Sequence, residues 1–153
     1  MWLLSKCFRF NHRKGDYVNP EKLIKPEETL GKVVKVYEVL EYIVLAELMK
    51  KDDYAQNLEQ TIIKSLANVG VNKGFLSQRL HSLIESGKIE KIGTDPTHRS
   101  RQLLRITQVG ADYFKFIASE LPAKVTLAKK TYTAFEKYMD QFATMSLKQG
   151  GPI

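Results

Sequence analysis

The stretch that most constrains the fold spans residues 57–107, where two helical hydrophobic patterns are followed by two short alternating ones. The first pattern predicts a helix over 57–68, because its apolar residues recur at intervals of three and four, as one face of a helix requires. Asn57 is expected to cap the start of this helix. The apolar face consists of Leu58, Ile62, Leu66 and Val69.

A second helix is expected close behind the first. Gly70 predicts a tight turn because glycine can adopt a positive φ, and Asn72 is expected to cap the helix that follows. This helix should cover 73–86 and end at Gly87, a glycine suited to the left-handed position after a helix. Its apolar face consists of Leu76, Leu80, Leu83 and Ile84.

The opposite face of the second helix carries short, polar and mostly uncharged side chains. An ordinary solvated face favours Glu and Lys, which are better helix formers. Short donors and acceptors after a compact turn suit a helix lying in the major groove of DNA, where Gln and Ser can reach base edges. A plain polar surface helix is an equally good interpretation of this face alone. The residues, with the preceding cap, are Asn72, Lys73, Gly74, Ser77, Gln78, His81 and Ser82.

A β-hairpin with a basic tip is expected next. Residues 88–92 alternate polar and apolar, and 103–106 can pair beside them. The loop 93–101 between them is rich in turn-forming residues, and its cations suit a phosphate backbone or a minor groove. The candidate contacts in this loop are His98, Arg99 and Arg101. Helix, turn, helix and hairpin together predict a winged helix-turn-helix: a mainly α fold with a small β-hairpin wing and flanking dimerisation helices.

Residues 62–110 resemble the winged-helix regulators of the MarR type and, less closely, those of the PadR type. The segments that carry the resemblance are Leu66-Ala67, Gly70-Val71, the run LHSLIESGKIEK, Asp95-Pro96 and Ile106-Thr107-Gln108-Val109-Gly110. The resemblance implies that Thr107 caps the next helix and that Gly110 permits close packing. The Asp-x-Arg motif of that family falls on His98 and Ser100 here, so either the wing is held differently or the chain is a more distant winged helix.

Residues 32–51 show an amphipathic pattern that is too long for a typical strand. The pattern predicts a helix that packs behind the helix-turn-helix and hairpin of residues 57–107. Its polar face is expected to carry Lys35, Glu38 and Glu41. Its apolar face is expected to carry Val33, Val36, Tyr37, Leu40, Ile43, Val44 and Leu48.

Two further helices are expected after the wing. The first runs from Thr107 to about Glu120, and Pro122 should break or kink it because proline lacks an N–H donor. The second, over 123–147, has an apolar seam close to a heptad pattern, which favours self-association over folding back on 32–51. The expected dimer interface consists of Val125, Ala128, Tyr132, Phe135, Met139 and Phe142.

Three segments are therefore expected: a basic, partly irregular arm over 1–31, a winged-helix domain over 32–121, and a dimerisation helix with a frayed tail over 122–153. The arm mixes aromatic and basic residues, which suits contact with DNA, packing on a partner subunit, or disorder. Of the formal net charge of +7, both 1–26 and 68–107 carry an excess of four cations. Such concentration is typical of a protein that binds a polyanion.

Other function classes find little support in the sequence. The three histidines lack the spacing of a metal site, and no phosphate-binding glycine loop or nucleophile elbow occurs, so neither an enzyme nor a metal or cofactor site is expected. The single cysteine and the lack of a long apolar run favour a cytoplasmic, nucleoid-associated protein without a membrane span.

The sequence thus predicts a homodimeric, sequence-specific transcriptional regulator that binds palindromic or repeated sites in double-stranded DNA. A small-molecule effector is compatible with this hypothesis and is not decided by the sequence. Two alternatives stay open: a winged-helix adaptor for replication, plasmid partition or DNA organisation, and a winged helix that binds protein instead of DNA.

Overall fold

The computed structural model describes residues 29–143, so most of the expected basic arm and the expected frayed tail lie outside the described residues. The chain divides into two compact units, Met1–Val33 and Val34–Ile153. In the described part of the first unit, the backbone N–H of Lys32 donates to the carbonyl of Thr29 at 2.7 Å, closing a turn.

Between residues 34 and 143, the second unit contains four helices and one three-stranded antiparallel sheet with the strand order β1-β3-β2. The elements in chain order are α1 (Val36–Lys50), β1 (Asp53–Tyr54), α2 (Ala55–Ser65), α3 (Lys73–Glu85), β2 (Ile89–Thr94), β3 (Gln102–Ile106) and α4 (Gln108–Asp140). This arrangement is a winged helix, and it confirms the fold class predicted from the sequence.

The sheet contains a strand that the sequence did not predict. In β1, Asp53 pairs with Leu104 and Tyr54 with Leu103, so the α1–α2 connection forms one edge of the wing sheet. Because α2 begins directly after this strand, the prediction that Asn57 caps the helix is wrong. Asn57 lies inside the first turn, where its side-chain amide donates to the Asp53 carboxylate at 2.7 Å.

One apolar core joins α1, α2, α3, the sheet and the first half of α4. Burying each large aliphatic side chain in such a core stabilises the fold by about 1.5–3 kcal/mol. Three expectations about the faces are wrong. Val36 is 63% exposed and Val69 is 64% exposed, although both were assigned to apolar faces. Glu41, assigned to the polar face of α1, is only 5% exposed. The core residues are Leu40, Val44, Leu45, Leu48, Leu58, Ile62, Leu76, Leu80, Leu83, Ile89, Leu104 and Ile117.

The turn between α2 and α3 does not use glycine as expected. Ala67 and Asn68 adopt the positive φ values of 54° and 64°, and Gly70 does not adopt one. The reason is that α2 ends at Ser65, so the left-handed residues that reverse the chain come before Gly70. The N–H of Asn68 donates to the carbonyl of Ile63 at 2.9 Å and closes the end of α2.

Both predicted ends of α3 are confirmed. The Asn72 side chain accepts a hydrogen bond of 3.1 Å from a backbone N–H of the first turn. At the other end, Gly87 has a φ of +71°. Its N–H donates to Ile84 at 3.0 Å and the N–H of Lys88 donates to Leu83 at 2.9 Å, the pair of bonds of a Schellman motif. The length and position of α3 are therefore fixed by local hydrogen bonds.

Helix α4 is one continuous helix of 33 residues, so the expected break at Pro122 is wrong. Proline removes only one N–H from the helix, and Pro122 lies on an exposed side where water can hydrate the carbonyl left without a donor. The Thr126 hydroxyl also donates to the Pro122 carbonyl at 3.0 Å. The expected boundary between 121 and 122 thus falls inside a helix.

The start of α4 is seated on the turn that follows α3. Thr107 accepts a hydrogen bond from the N–H of Gly110 at 3.1 Å, which confirms its role as a cap. The N–H of Thr107 donates to the Lys88 carbonyl at 3.0 Å. A Cβ added at Gly110 would overlap that same carbonyl oxygen, so only glycine allows this approach.

We expect Gly110→Ala to lower the free energy of unfolding by at least about 2 kcal/mol, because a backbone carbonyl cannot yield as a side chain can. Gly70→Ala is the control. Apart from its chain neighbours, no atom of the described residues lies within 4 Å of a Cβ placed at Gly70, so its effect should stay within about 1 kcal/mol. Urea unfolding of both variants measures the difference, and equal stabilities would contradict the proposed close approach.

Candidate nucleic-acid interface

Helix α3 presents one exposed face opposite its three buried leucines. Four of the predicted contacts are exposed on this face: Gly74, Ser77, Gln78 and His81. The face continues to Glu85, an acidic residue that was not among the predicted contacts. The imidazole of His81 lies 3.1 Å from the Glu85 carboxylate, so the C-terminal end of the face holds a His–Glu pair.

A cleft of about 380 Å³ opens between α2, α3 and the wing. It brings Lys73 and Ser77 of α3 together with His98 and Arg101 of the wing. The sequence placed these residues in two separate segments, and the fold makes them walls of one cleft. Gln56 of α2 also lines the cleft and was missed, because nothing in a helical pattern shows which neighbouring helix faces a loop.

A smaller cleft of about 190 Å³ continues along α3 towards the base of the wing. Here Ser77 and His81 face Lys91 and Gln102 from β2 and β3. Lys91 and Gln102 were not predicted as contacts. An exposed polar position in an alternating strand was the available signal, but it does not distinguish a site from ordinary solvated surface.

The exposed face of α3 has a second flank, on the side away from the wing. Asn72, Gly74 and Gln78 line a hollow of about 570 Å³ together with apolar side chains that include Val71 and Phe75. The predicted contacts therefore divide into two groups on the flanks of α3, one beside the wing and one beside the α2–α3 turn. Ser82 is half-buried and lies in neither group.

The wing is braced by Asp95, in place of the missing Asp-x-Arg motif. Its carboxylate accepts hydrogen bonds from the backbone N–H and the hydroxyl of Thr97 at 2.9 and 2.7 Å. The Arg101 guanidinium lies 3.6 Å from the same carboxylate, and the Arg101 carbonyl accepts from the N–H of Asp95 at 2.8 Å. The Thr97 hydrogen bonds, followed by the charges of His98 and Arg101, lower the pKa of Asp95.

Several cations that contribute to the local positive charge are used within the fold. Arg105 pairs with Asp52 at 2.9 Å, which ties β3 to the end of α1. The Lys88 ammonium lies 4.2 Å from the centre of the Tyr113 ring. Among residues 29–143, Lys91 and Arg99 have no acidic partner within ion-pair distance. The same holds for lysines outside the wing, such as Lys64, Lys115 and Lys130, so the unpaired cations of the described residues include the wing but are not confined to it.

Beyond Leu121, no residue in the described part of α4 is buried. Ala128, one of the six residues expected at a dimer interface, is half-buried. The other five expose about half of their surface: Val125, Tyr132, Phe135, Met139 and Phe142. An apolar hollow of about 380 Å³, lined by residues such as Tyr42, Ile43 and Pro122, lies where α1 meets this part of α4.

Within residues 29–143, no group of three or more His, Cys, Asp or Glu side chains is placed to hold a metal ion. No helix in the same range is both long enough and apolar enough to cross a membrane.

No protein-family model and no curated protein matches this chain. Solved structures do match it. A protein assigned as a transcriptional regulator from Thermoplasma acidophilum has a TM-score of 0.56 and 13% identity, covering 65% of this chain and 93% of its own. A transcriptional regulator from Clostridium thermocellum has a TM-score of 0.51 and 20% identity, covering 71% of this chain and 97% of its own.

At these identities the likeness is one of fold, and a fold alone does not specify a function. The resemblance to winged-helix regulators noted for residues 62–110 is confirmed in that sense. Structures of MarR and of a PadR-family regulator from Clostridium difficile also match, with TM-scores of 0.44 and 0.41.

We expect Thr97→Val to raise the pKa of Asp95 towards its ordinary value, because the hydroxyl donor is the largest cause of the lowering. Arg101→Gln should raise it less, because its charge is the smallest of the causes. Carboxyl chemical shifts followed by NMR during an acid titration give both values. An Asp95 pKa unchanged by Thr97→Val would show that the brace is absent in solution.

Proposed function

We propose that this chain is a sequence-specific DNA-binding transcriptional regulator that acts as a homodimer. The observation that carries the proposal is the shared cleft, where Lys73 and Ser77 of α3 face His98 and Arg101 of the wing. A helix with an exposed polar face beside a basic hairpin is suited to a duplex, because the helix can enter the major groove while the hairpin follows the backbone.

In this proposal the contacts on α3 differ in role. Gln78 is exposed near the middle of the outward face, and a glutamine amide can form two hydrogen bonds with an adenine edge. Ser77 and His81 lie nearer the wing and suit base or backbone contacts. Lys73 and Arg99 supply charge to phosphates, a contribution that does not depend on base sequence.

The dimer is supported by α4. Its 33 residues span about 50 Å at the rise of an α-helix, and the large apolar side chains after Leu121 remain about half exposed. Packing these residues against a second copy would remove them from water. A two-fold pair can present its two α3 helices to successive major grooves about 34 Å apart, which favours palindromic or repeated sites. Such a protein would act in the cytoplasm, on the nucleoid.

One observation favours a second candidate, a winged helix that binds protein. The acidic side chains of Glu59 and Glu85 lie beside Lys73 and His81, at 3.9 and 3.1 Å, and weaken the positive field of the cleft. Binding to mixed duplex DNA at low salt distinguishes the two candidates, because a protein-binding module would show no such affinity.

Gln78→Ala should reduce the affinity for a selected duplex by about 1–3 kcal/mol, if the amide makes a bidentate base contact. Affinity for random duplexes should change little, since they lack that contact. The selected duplex comes from repeated enrichment of bound fragments from a random pool. Gln60→Ala on the exposed side of α2 is the matched control and should match the parent. Equal losses for selected and random duplexes would rule out base reading by Gln78.

Arg99→Ala should weaken binding to every duplex and reduce the slope of log affinity against log salt by about one unit, because one phosphate contact is lost. Arg99→Lys keeps the charge and should keep the slope. Affinities measured over a series of salt concentrations test this. A slope that Arg99→Ala leaves unchanged would mean that the wing tip does not touch DNA.

A further inference from the structure

A buried carboxylate occupies the junction of three helices. Glu41 of α1 is 5% exposed, and among residues 29–143 it is the one charged side chain within the buried set. Removing a carboxylate from water is costly unless other groups replace its hydration. The groups that do so determine which elements this residue connects.

The partners of Glu41 come from two different helices. The Tyr113 hydroxyl of α4 donates to one carboxylate oxygen at 2.6 Å, and a guanidinium nitrogen of Arg79 on α3 lies 3.9 Å from the other. Burial and the hydrogen bond to Glu41 raise the pKa of Tyr113 well above its usual range, so the phenol remains a donor. The helices α3 and α4 therefore both contact one carboxylate on α1, α3 through an ion pair and α4 through a hydrogen bond.

Arg79 is directed into this junction. Its guanidinium lies 5.6 Å from the centre of the Tyr37 ring and 5.7 Å from that of Phe75, and its side chain is only 29% exposed. The Nε atom is buried without a hydrogen-bond partner in the described part of the chain. The guanidinium thus lies near two aromatic rings and Glu41, and one of its polar atoms is left unsatisfied.

Other contacts hold the same helices together. The Lys124 ammonium of α4 donates to Glu38 of α1 at 2.8 Å. The ammonium of Lys88, a residue in the turn that follows α3, also lies over the ring of Tyr113. Contacts among leucines tolerate small rotations of a helix, whereas a buried carboxylate is costly without a cation nearby, which favours orientations of α3 that keep Arg79 beside Glu41. The polar junction is therefore suited to fixing the rotation of α3.

We propose that Arg79 is a positioning residue for DNA reading, which acts through Glu41 and Tyr113 to set the orientation in which α3 presents its exposed face. This inference rests on the proposed function. Arg79 neighbours Gln78 in sequence, so a change in its anchoring moves the residue assigned to base contact. The junction also makes the orientation of α3 depend on α4, which carries the proposed dimer interface.

The test compares Arg79→Lys and Tyr113→Phe with the parent on a selected duplex and on random duplexes. Both variants should lose about tenfold in affinity for the selected duplex, keep their affinity for random duplexes, and keep the salt slope of the parent. Tyr113→Phe removes one hydroxyl and keeps the ring. It therefore still tests the positioning role if the arginine variant folds poorly. Ile117→Val, a mild core truncation on α4, is the control for lost stability and should keep the parental preference.

The outcomes separate the two proposals. If the parent prefers one duplex and both variants keep that preference, the positioning role is overturned while the proposed function stands. If Arg79→Lys keeps the preference but Arg79→Ala lowers the salt slope by about one unit, Arg79 is a phosphate contact instead. If the parent itself binds no DNA at low salt, the proposed function fails, and the positioning role fails with it.

Discussion

The structure depends on the burial of one face of α3. Leu76, Leu80 and Leu83 are buried against α1, α2 and the sheet, and this choice of inward face decides which residues point outward. Because a helix has only one such stripe, the polar residues on the opposite side point to solvent, where His81 pairs with Glu85 of the same helix. The Asn72 cap and the Gly87 turn then fix where this face begins and ends.

The reading helix and the wing could be predicted because their signals are local. Spaced leucines, an Asn cap and a C-terminal glycine act within a few residues, so α3 was located to within one residue at its C-terminal end. The cap at Thr107 and the close approach at Gly110 were predicted from the resemblance to a family. Their physical role is to pack the start of α4 against the turn after α3.

The remaining features could not be predicted because they depend on partners distant in sequence. Glu41 resembles a solvated residue until Tyr113, 72 positions later, is placed beside it. Strand β1 has two residues, too few for a periodic pattern, and exists because β3 offers it a free edge. Pro122 would end an isolated helix, but in α4 it lies on an exposed side, where water can hydrate the carbonyl that loses its N–H donor. The division of the α3 contacts into two flanks likewise appears only once the wing is folded back.

The most direct test of this account is to map the amide chemical shifts of the labelled protein by NMR as a selected duplex is added. The largest changes are expected along the exposed face of α3, at Ser77, Gln78 and His81, and in the wing over 97–101, with small changes over 125–142. Changes confined to the second half of α4, with α3 and the wing unaffected, would contradict it.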